Sequence, residues 1–118
     1  MSGWLGRLAG MTLGVAIGLG AWAGAAAPAA ADTTIEITIK DHRFIPSEVR
    51  VKAGERSILK IKNEDATPEE FESNVLKIEK VIAGGSVGTL RLRALEPGRY
   101  PFEGEHHPET AQGFIIAE

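Results

Sequence analysis

From residue 32 onward the sequence predicts an all-β domain, a sandwich or a barrel, on three observations. Three runs alternate apolar and polar residues: TIEITIK at 34–40, SILKIK at 57–62 and TLRLRA at 89–94. Turn-forming residues separate these and several shorter runs at near-regular spacing. Almost nothing recurs with the 3.6-residue period of a helix.

The elements follow in order. In Thr34–Lys40, Ile35, Ile37 and Ile39 take one face and Glu36, Thr38 and Lys40 the other, the pattern of a half-buried strand. Pro46 breaks the next run. Val49–Val51 reads as a short strand, stopped by a turn at Ala53-Gly54-Glu55. Ser57–Lys62 alternates again and ends at Asn63-Glu64-Asp65, with Ala66-Thr67-Pro68 as loop. Glu69–Val75 reads as a strand with Phe71 as its inward anchor. Leu76–Val81 fits a helical turn or a short strand equally well. After a turn at Ile82–Ser86, Thr89–Ala94 places Leu90 and Leu92 inward. Glu96-Pro97-Gly98 turns the chain into the closing strands Arg99–Glu103 and Phe114–Ala117. Gly54 and Gly98 suit turns with positive φ. Phe44, Phe71, Phe102 and Phe114 are expected in the core. Arg50, Lys52, Lys60, Lys62, Arg91 and Arg93 alternate with apolar residues and are expected on solvated sheet faces.

Residues 1–31 differ in kind. Arg7 is the only charge before Asp32, residues 11–24 are apolar, and AAAPAAA at 25–31 ends in a small-x-small pattern at Ala29 and Ala31. This is the make-up of a secretory signal peptide cleaved between Ala31 and Asp32. The alternative is a retained membrane anchor, for which a run this rich in Gly and Ala is weakly apolar. No twin-Arg pair is present, so general secretion into the periplasm is the expected route. The expected organisation is a signal peptide at 1–31 and one domain at 32–118.

Composition excludes whole classes of function. The 118 residues contain no Cys, which removes disulfides, cysteine zinc sites, iron–sulfur clusters, thiol nucleophiles and blue-copper centres. Both Met and both Trp lie in residues 1–31, so the domain beyond carries no sulfur at all. It has twelve basic against sixteen acidic side chains, a formal charge of −4, which argues against a nucleic-acid partner. No nucleophile elbow appears, and Ser73 and Ser86 lack the local context of a hydrolase.

A set of short motifs then appears in order: Phe44-x-Pro46-x-x-Val49-x-Val51-x-x-Gly54, Ile58-x-x-Ile61-x-Asn63-x-Asp65, Pro97-Gly98-x-Tyr100-x-Phe102, His106-His107 and Gly113-x-Ile115. In this order and spacing the chain resembles the cupredoxin-like domains, which implies a Greek-key β-sandwich. Blue-copper members carry a His after the Asn-x-Asp loop, then Cys, His and Met on the last hairpin. Those positions fall here near Glu69/Glu70, Gly104, His107 and Gln112, so His107 alone matches. The Glu70–Ser73 run, the Glu79-Lys80-Val81 step and the Gly104–Gly113 segment resemble a narrower branch. This is the EfeO-type cupredoxin-like family of exported proteins linked to bacterial iron uptake. The resemblance implies iron and/or copper bound by the Glu-aromatic-Glu segment and the last hairpin, beside an inner-membrane iron permease and other uptake components.

The candidate ligands are carboxylates and imidazoles, donors suited to hard and borderline cations. Glu70 and Glu72 are two apart and share a strand face. Their alternative role is a charged strand edge that resists pairing. His107, Glu105, Glu79, His106 and His42 complete the set; Glu103 and Glu109 are weaker candidates. His106 and His107 are adjacent and point opposite ways on an extended hairpin, so one of them is expected not to be a ligand. The expected function is a periplasmic metal-binding protein for ferrous iron uptake, touching the membrane only through its partner. Ferroxidase-type oxidation of Fe(II) before delivery is the one enzymatic activity this reading leaves open. The rival readings are a metal-free docking module and a periplasmic Cu(II) carrier.

Overall fold

The computed structural model describes residues 32–118 and, ahead of them, Gly14 alone. The signal-peptide expectation for residues 1–31 lies outside the described residues. The described domain is all-β, as expected, with no helix among the described residues.

Among the described residues, nine strands form two mixed sheets. The first sheet has the order β2-β1-β4-β7: β1 (Thr33–Lys40), β2 (Arg43–Ile45), β4 (Ser57–Asn63) and β7 (Val87–Leu92). The second has the order β3-β9-β8-β5-β6: β3 (Glu48–Val51), β5 (Glu69–Ser73), β6 (Ile78–Ile82), β8 (Gly98–Gly104) and β9 (Gln112–Ala117). The pairs β1/β4 and β3/β9 are parallel and the others antiparallel.

The alternation read from sequence fixes the inner faces. Ile37 and Ile39 of β1, Leu59 and Ile61 of β4 and Leu92 of β7 meet Val49, Val51, Phe71, Ile82, Phe102 and Ile115 of the other sheet. Phe44, Phe71 and Phe102 form an aromatic trio with ring centroids 4.7–5.8 Å apart. The trio anchors β5 and β8 from beneath, and those strands carry the acidic residues outward.

One open alternative is resolved and two expectations are corrected. Leu76–Val81 divides into a turn and β6, because Leu76 is buried while Lys77 has φ 56°, the left-handed conformation that reverses the chain. Phe114 is only half-buried, since it faces outward on β9 with the Arg99 guanidinium 3.9 Å from its ring centroid. Gly54 has the expected positive φ of 78°, but Gly98 does not: it opens β8, where an added Cβ would lie 3.5 Å from the Tyr100 ring.

The loops that frame the site depend on a few polar residues. Asp41 and His42 both have positive φ and join Lys40 to its antiparallel partner Arg43, the geometry of a two-residue type I′ hairpin. The Asp65 carboxylate accepts the amides of Asp41 and His42 at 2.8 and 3.0 Å and so fixes that turn. Asn63 is fully buried, donates to the carbonyls of Thr67 and Ile82, and accepts the Asp65 amide. Asn63 therefore closes the loop that delivers the chain into β5.

Candidate metal centre

Glu70, Glu72, Glu79 and Glu105 come together at the outer side of the second sheet, with one carboxylate oxygen from each lying within 4.8 Å of all the others. Three elements build the group. β5 presents Glu70 and Glu72 on one face, with Glu69, Phe71 and Ser73 turned inward. β6 places Glu79 directly opposite Glu72. Glu105 leads the β8–β9 loop, its amide bonded to the Glu70 carbonyl at 2.9 Å. On the other side of β5, Glu103 stands opposite Glu72 in register. A row Glu79–Glu72–Glu103 thus crosses three neighbouring strands. Like charges placed opposite each other on a sheet repel, so this row lowers the stability of the cation-free protein.

The carboxyls respond to this crowding. Burial, then a hydrogen bond with Glu105 and its charge, then the charge of Glu79, raise Glu70 above its ordinary value, against a weaker pull from His106. Burial also leads for Glu72, followed by Glu105, Glu79 and Glu70, all in the raising direction. A proton relieves such repulsion, and so does a cation.

His106 stands at the rim of this group, its Nε2 4.0 Å from Glu70 Oε2. Its Nδ1 lies 3.0 Å from the Pro68 carbonyl. A carbonyl only accepts, so Nδ1 carries the hydrogen and the neutral ring keeps its lone pair on Nε2, the nitrogen on the glutamate side.

His107 goes elsewhere. Its Nδ1 lies 2.6 Å from Oε2 of Glu69, whose side chain is 2% exposed. Glu69 Oε1 also accepts the amides of Glu70 and His106 at 3.0 and 2.9 Å. Burial acts most strongly on this carboxyl, in the raising direction, but the His107 ring and the two amides together outweigh it and hold the value below the ordinary one. His42 stacks on His107, with centroids 3.5 Å apart and planes 13° from parallel. Rings so arranged direct their in-plane lone pairs side by side instead of at one ion. Of the seven candidates from sequence, the structure therefore gathers Glu70, Glu72, Glu79 and Glu105, puts His106 beside them, and sets His107 and His42 apart.

A family model described as the cupredoxin-like domain matches residues 13–117. The chain belongs to the cupredoxin-like domain family. An uncharacterized protein of Rickettsia prowazekii (strain Madrid E) is 45% identical over 82 residues, which are 70% of this chain and 66% of that protein's length. Among solved structures, auracyanin A, a blue copper protein of Chloroflexus aurantiacus, superposes with a TM-score of 0.65 at 18% identity. That match covers 75% of this chain and all of auracyanin A. A reduced amicyanin variant superposes with a TM-score of 0.61 at 22% identity, covering 75% of this chain and 85% of amicyanin. These likenesses show the cupredoxin-like fold.

A thiolate copper centre does not fit this cupredoxin-like chain, which has no cysteine. Near the positions expected from sequence for the first His (Glu69/Glu70), the Cys (Gly104) and the second His (His107), Glu69, Gly104 and His107 pack directly together. A Cβ added at Gly104 would lie 2.7 Å from the Glu69 Cδ and 2.6 Å from the Ala111 Cβ. The side chain closing this contact is Ala111. The space is filled by a carboxylate–imidazole hydrogen bond, and the glutamate group lies on the outer side of the same strand.

Two participants lie outside the seven leading candidates from sequence: Glu69, noted only near the first-His position, and Glu103, a weaker candidate. Glu69 was legible as an inward residue, since it alternates with Phe71, yet a buried Glu runs against the usual distribution of charged side chains. Glu103 acquires its place through cross-strand register, which one strand's pattern does not encode.

Proposed function

We propose that this chain is an exported metal-binding protein that carries iron in ferrous iron uptake. Glu70, Glu72, Glu79 and Glu105 are its carboxylate ligands and His106 its nitrogen ligand. The observation that carries this reading is the convergence of four carboxylates from two strands and a loop, in a sheet register that is unfavourable without a cation. Oxygen-rich donor sets suit hard ions, and one imidazole extends the preference to borderline transition ions. A carboxylate-rich site favours Fe(III) over Fe(II), which would assist ferroxidase-type oxidation, the electron passing from each Fe(II) to Cu(II) or dioxygen, before delivery to an inner-membrane permease. Residues 1–31 are, on this reading, a signal peptide, and the exported protein starts at Asp32.

Anaerobic titration with Fe(II), in parallel with Cu(II), tests the ligand set. Saturable Fe(II) binding, weakened by Glu70→Gln and by Glu105→Gln, supports it. No Fe(II) binding, or binding indifferent to both substitutions, overturns it. Tight Cu(II) binding that depends on His107 and His42 would instead favour a Cu(II) carrier, the class nearest to the copper proteins that share this fold. Amino-terminal sequencing of the exported protein tests the cleavage site.

A further inference from the structure

The Glu69 carboxylate stands between the two segments that carry the ligands. Its Oε1 accepts from the amide of Glu70 on β5 and from the amide of His106 on the β8–β9 loop. Its Oε2 accepts from Nδ1 of His107, two residues beyond Glu105. One buried side chain thus ties together the backbones of Glu70 and His106 and the ring of a third residue. We propose that Glu69 is a positioning residue that holds the loop bearing Glu105 and His106 against the strand bearing Glu70 and Glu72.

The physical argument rests on reach and charge. The cluster draws on two strands and on a loop without helix or sheet ladder of its own between Glu105 and Ala111. The glutamates of that cluster repel one another, which pushes Glu105 and its loop away from β5. Bonds from amides and imidazole to an ionised carboxylate are stronger than neutral ones, and a buried carboxylate is screened little by water. Glu69 therefore adds, to the backbone bond from the Glu105 amide to the Glu70 carbonyl, a second cross-link that holds the loop in the metal-free protein. The ligands then need little rearrangement to receive the ion. Residues that orient ligands in this way change metal affinity about 10–100-fold when removed.

This inference rests on the reading of the glutamate group as a metal site, so the experiment has two separate arms. In the first, metal-free folded protein is titrated with Mn(II) alone. Glu69→Leu, which keeps the bulk and removes every acceptor, is expected to weaken Mn(II) binding about tenfold or more. Glu69→Gln, which keeps one acceptor oxygen for the two amides, is expected to restore most of that affinity. Leu92→Ala, a core variant in the other sheet, controls for lost stability and is expected to bind as the parent does. Equal binding by Glu69→Leu and the parent, or equal loss in Leu92→Ala, overturns the proposal.

The second arm is amide hydrogen exchange without metal. The Glu70 and His106 amides are expected to be protected in the parent, to lose that protection in Glu69→Leu, and to keep it in Glu69→Gln. Free exchange at His106 in the parent overturns the proposal even if no variant folds. Absence of Mn(II) binding by the parent would count against the metal site, while the exchange arm still decides the role of Glu69.

Discussion

Gly104→Ala probes how tightly the last hairpin closes on β5. The added Cβ would lie 2.6 Å from the Ala111 Cβ, 2.7 Å from the Glu69 Cδ and 2.9 Å from its Oε1. The first contact is about 0.9 Å inside the 3.5 Å lower edge of favourable carbon–carbon separation, so something must move. Ala111 is fully buried and Glu69 is held by three hydrogen bonds, so neither yields freely. Overpacking of this kind costs about 2 kcal/mol. For a domain this small, that cost lowers the melting temperature by about 8–16 °C. Circular dichroism melts of the metal-free protein at neutral pH read the shift. Adding Ala111→Gly removes the closest contact and is expected to recover part of the loss. A Gly104→Ala melt within about 2 °C of the parent's would refute the close packing of hairpin, glutamate and strand.

Three further outcomes are expected. Fe(II) or Mn(II) at about one hundred times its dissociation constant is expected to add about 2.7 kcal/mol to stability, and a chelator to reverse it; a melting point blind to both would sink the metal reading. Glu70 and Glu72 have folded values raised above 4.5, so the stability they contribute is present at lower pH and lost as pH rises through those values. Glu69 and Asp65 have lowered values, so their contribution is present above their ordinary 4.5 and 3.8 and lost as pH falls through the folded values. The urea midpoint of metal-free protein is therefore expected to be higher at about pH 5 than at pH 7 and to fall again by about pH 3. A midpoint that does not change between pH 7 and pH 5 would contradict the crowding of the glutamates. Asn63→Ala, which strands two carbonyls and the Asp65 amide, is expected to cost about 2 kcal/mol in urea unfolding; a loss below about 0.5 kcal/mol would show that water replaces the side chain.

Much of the fold was legible because alternation is a local property. By period alone TIEITIK places Ile37 and Ile39 inward, and SILKIK places Leu59 and Ile61 inward with Ile58 on the other face; both are strands with those four residues buried. The same rule put Glu70 and Glu72 on one face. What a single strand does not encode is its neighbour. That Glu79 and Glu103 both stand opposite Glu72 follows from pairing across a turn and across the whole β5–β8 separation. The choice between His106 and His107 was equally non-local. Adjacent residues point apart, but which one meets the glutamates depends on the hydrogen bonds to Pro68 and Glu69. Phe114 shows the limit of composition: an aromatic ring reads as core, yet an arginine on the next strand lets it face outward.

The parallel pairing of β3 with β9 has a consequence for the order of folding. Among the described residues, β3 has no neighbour in its sheet except β9, the last of the nine strands. The second sheet therefore stays incomplete until residues 112–117 are free to insert between β3 and β8. A chain emerging from the ribosome gains little from early collapse, since its closing contact joins distant parts of the sequence. For a protein proposed to cross a membrane before it folds, this delay keeps the chain threadable until its final strand is made.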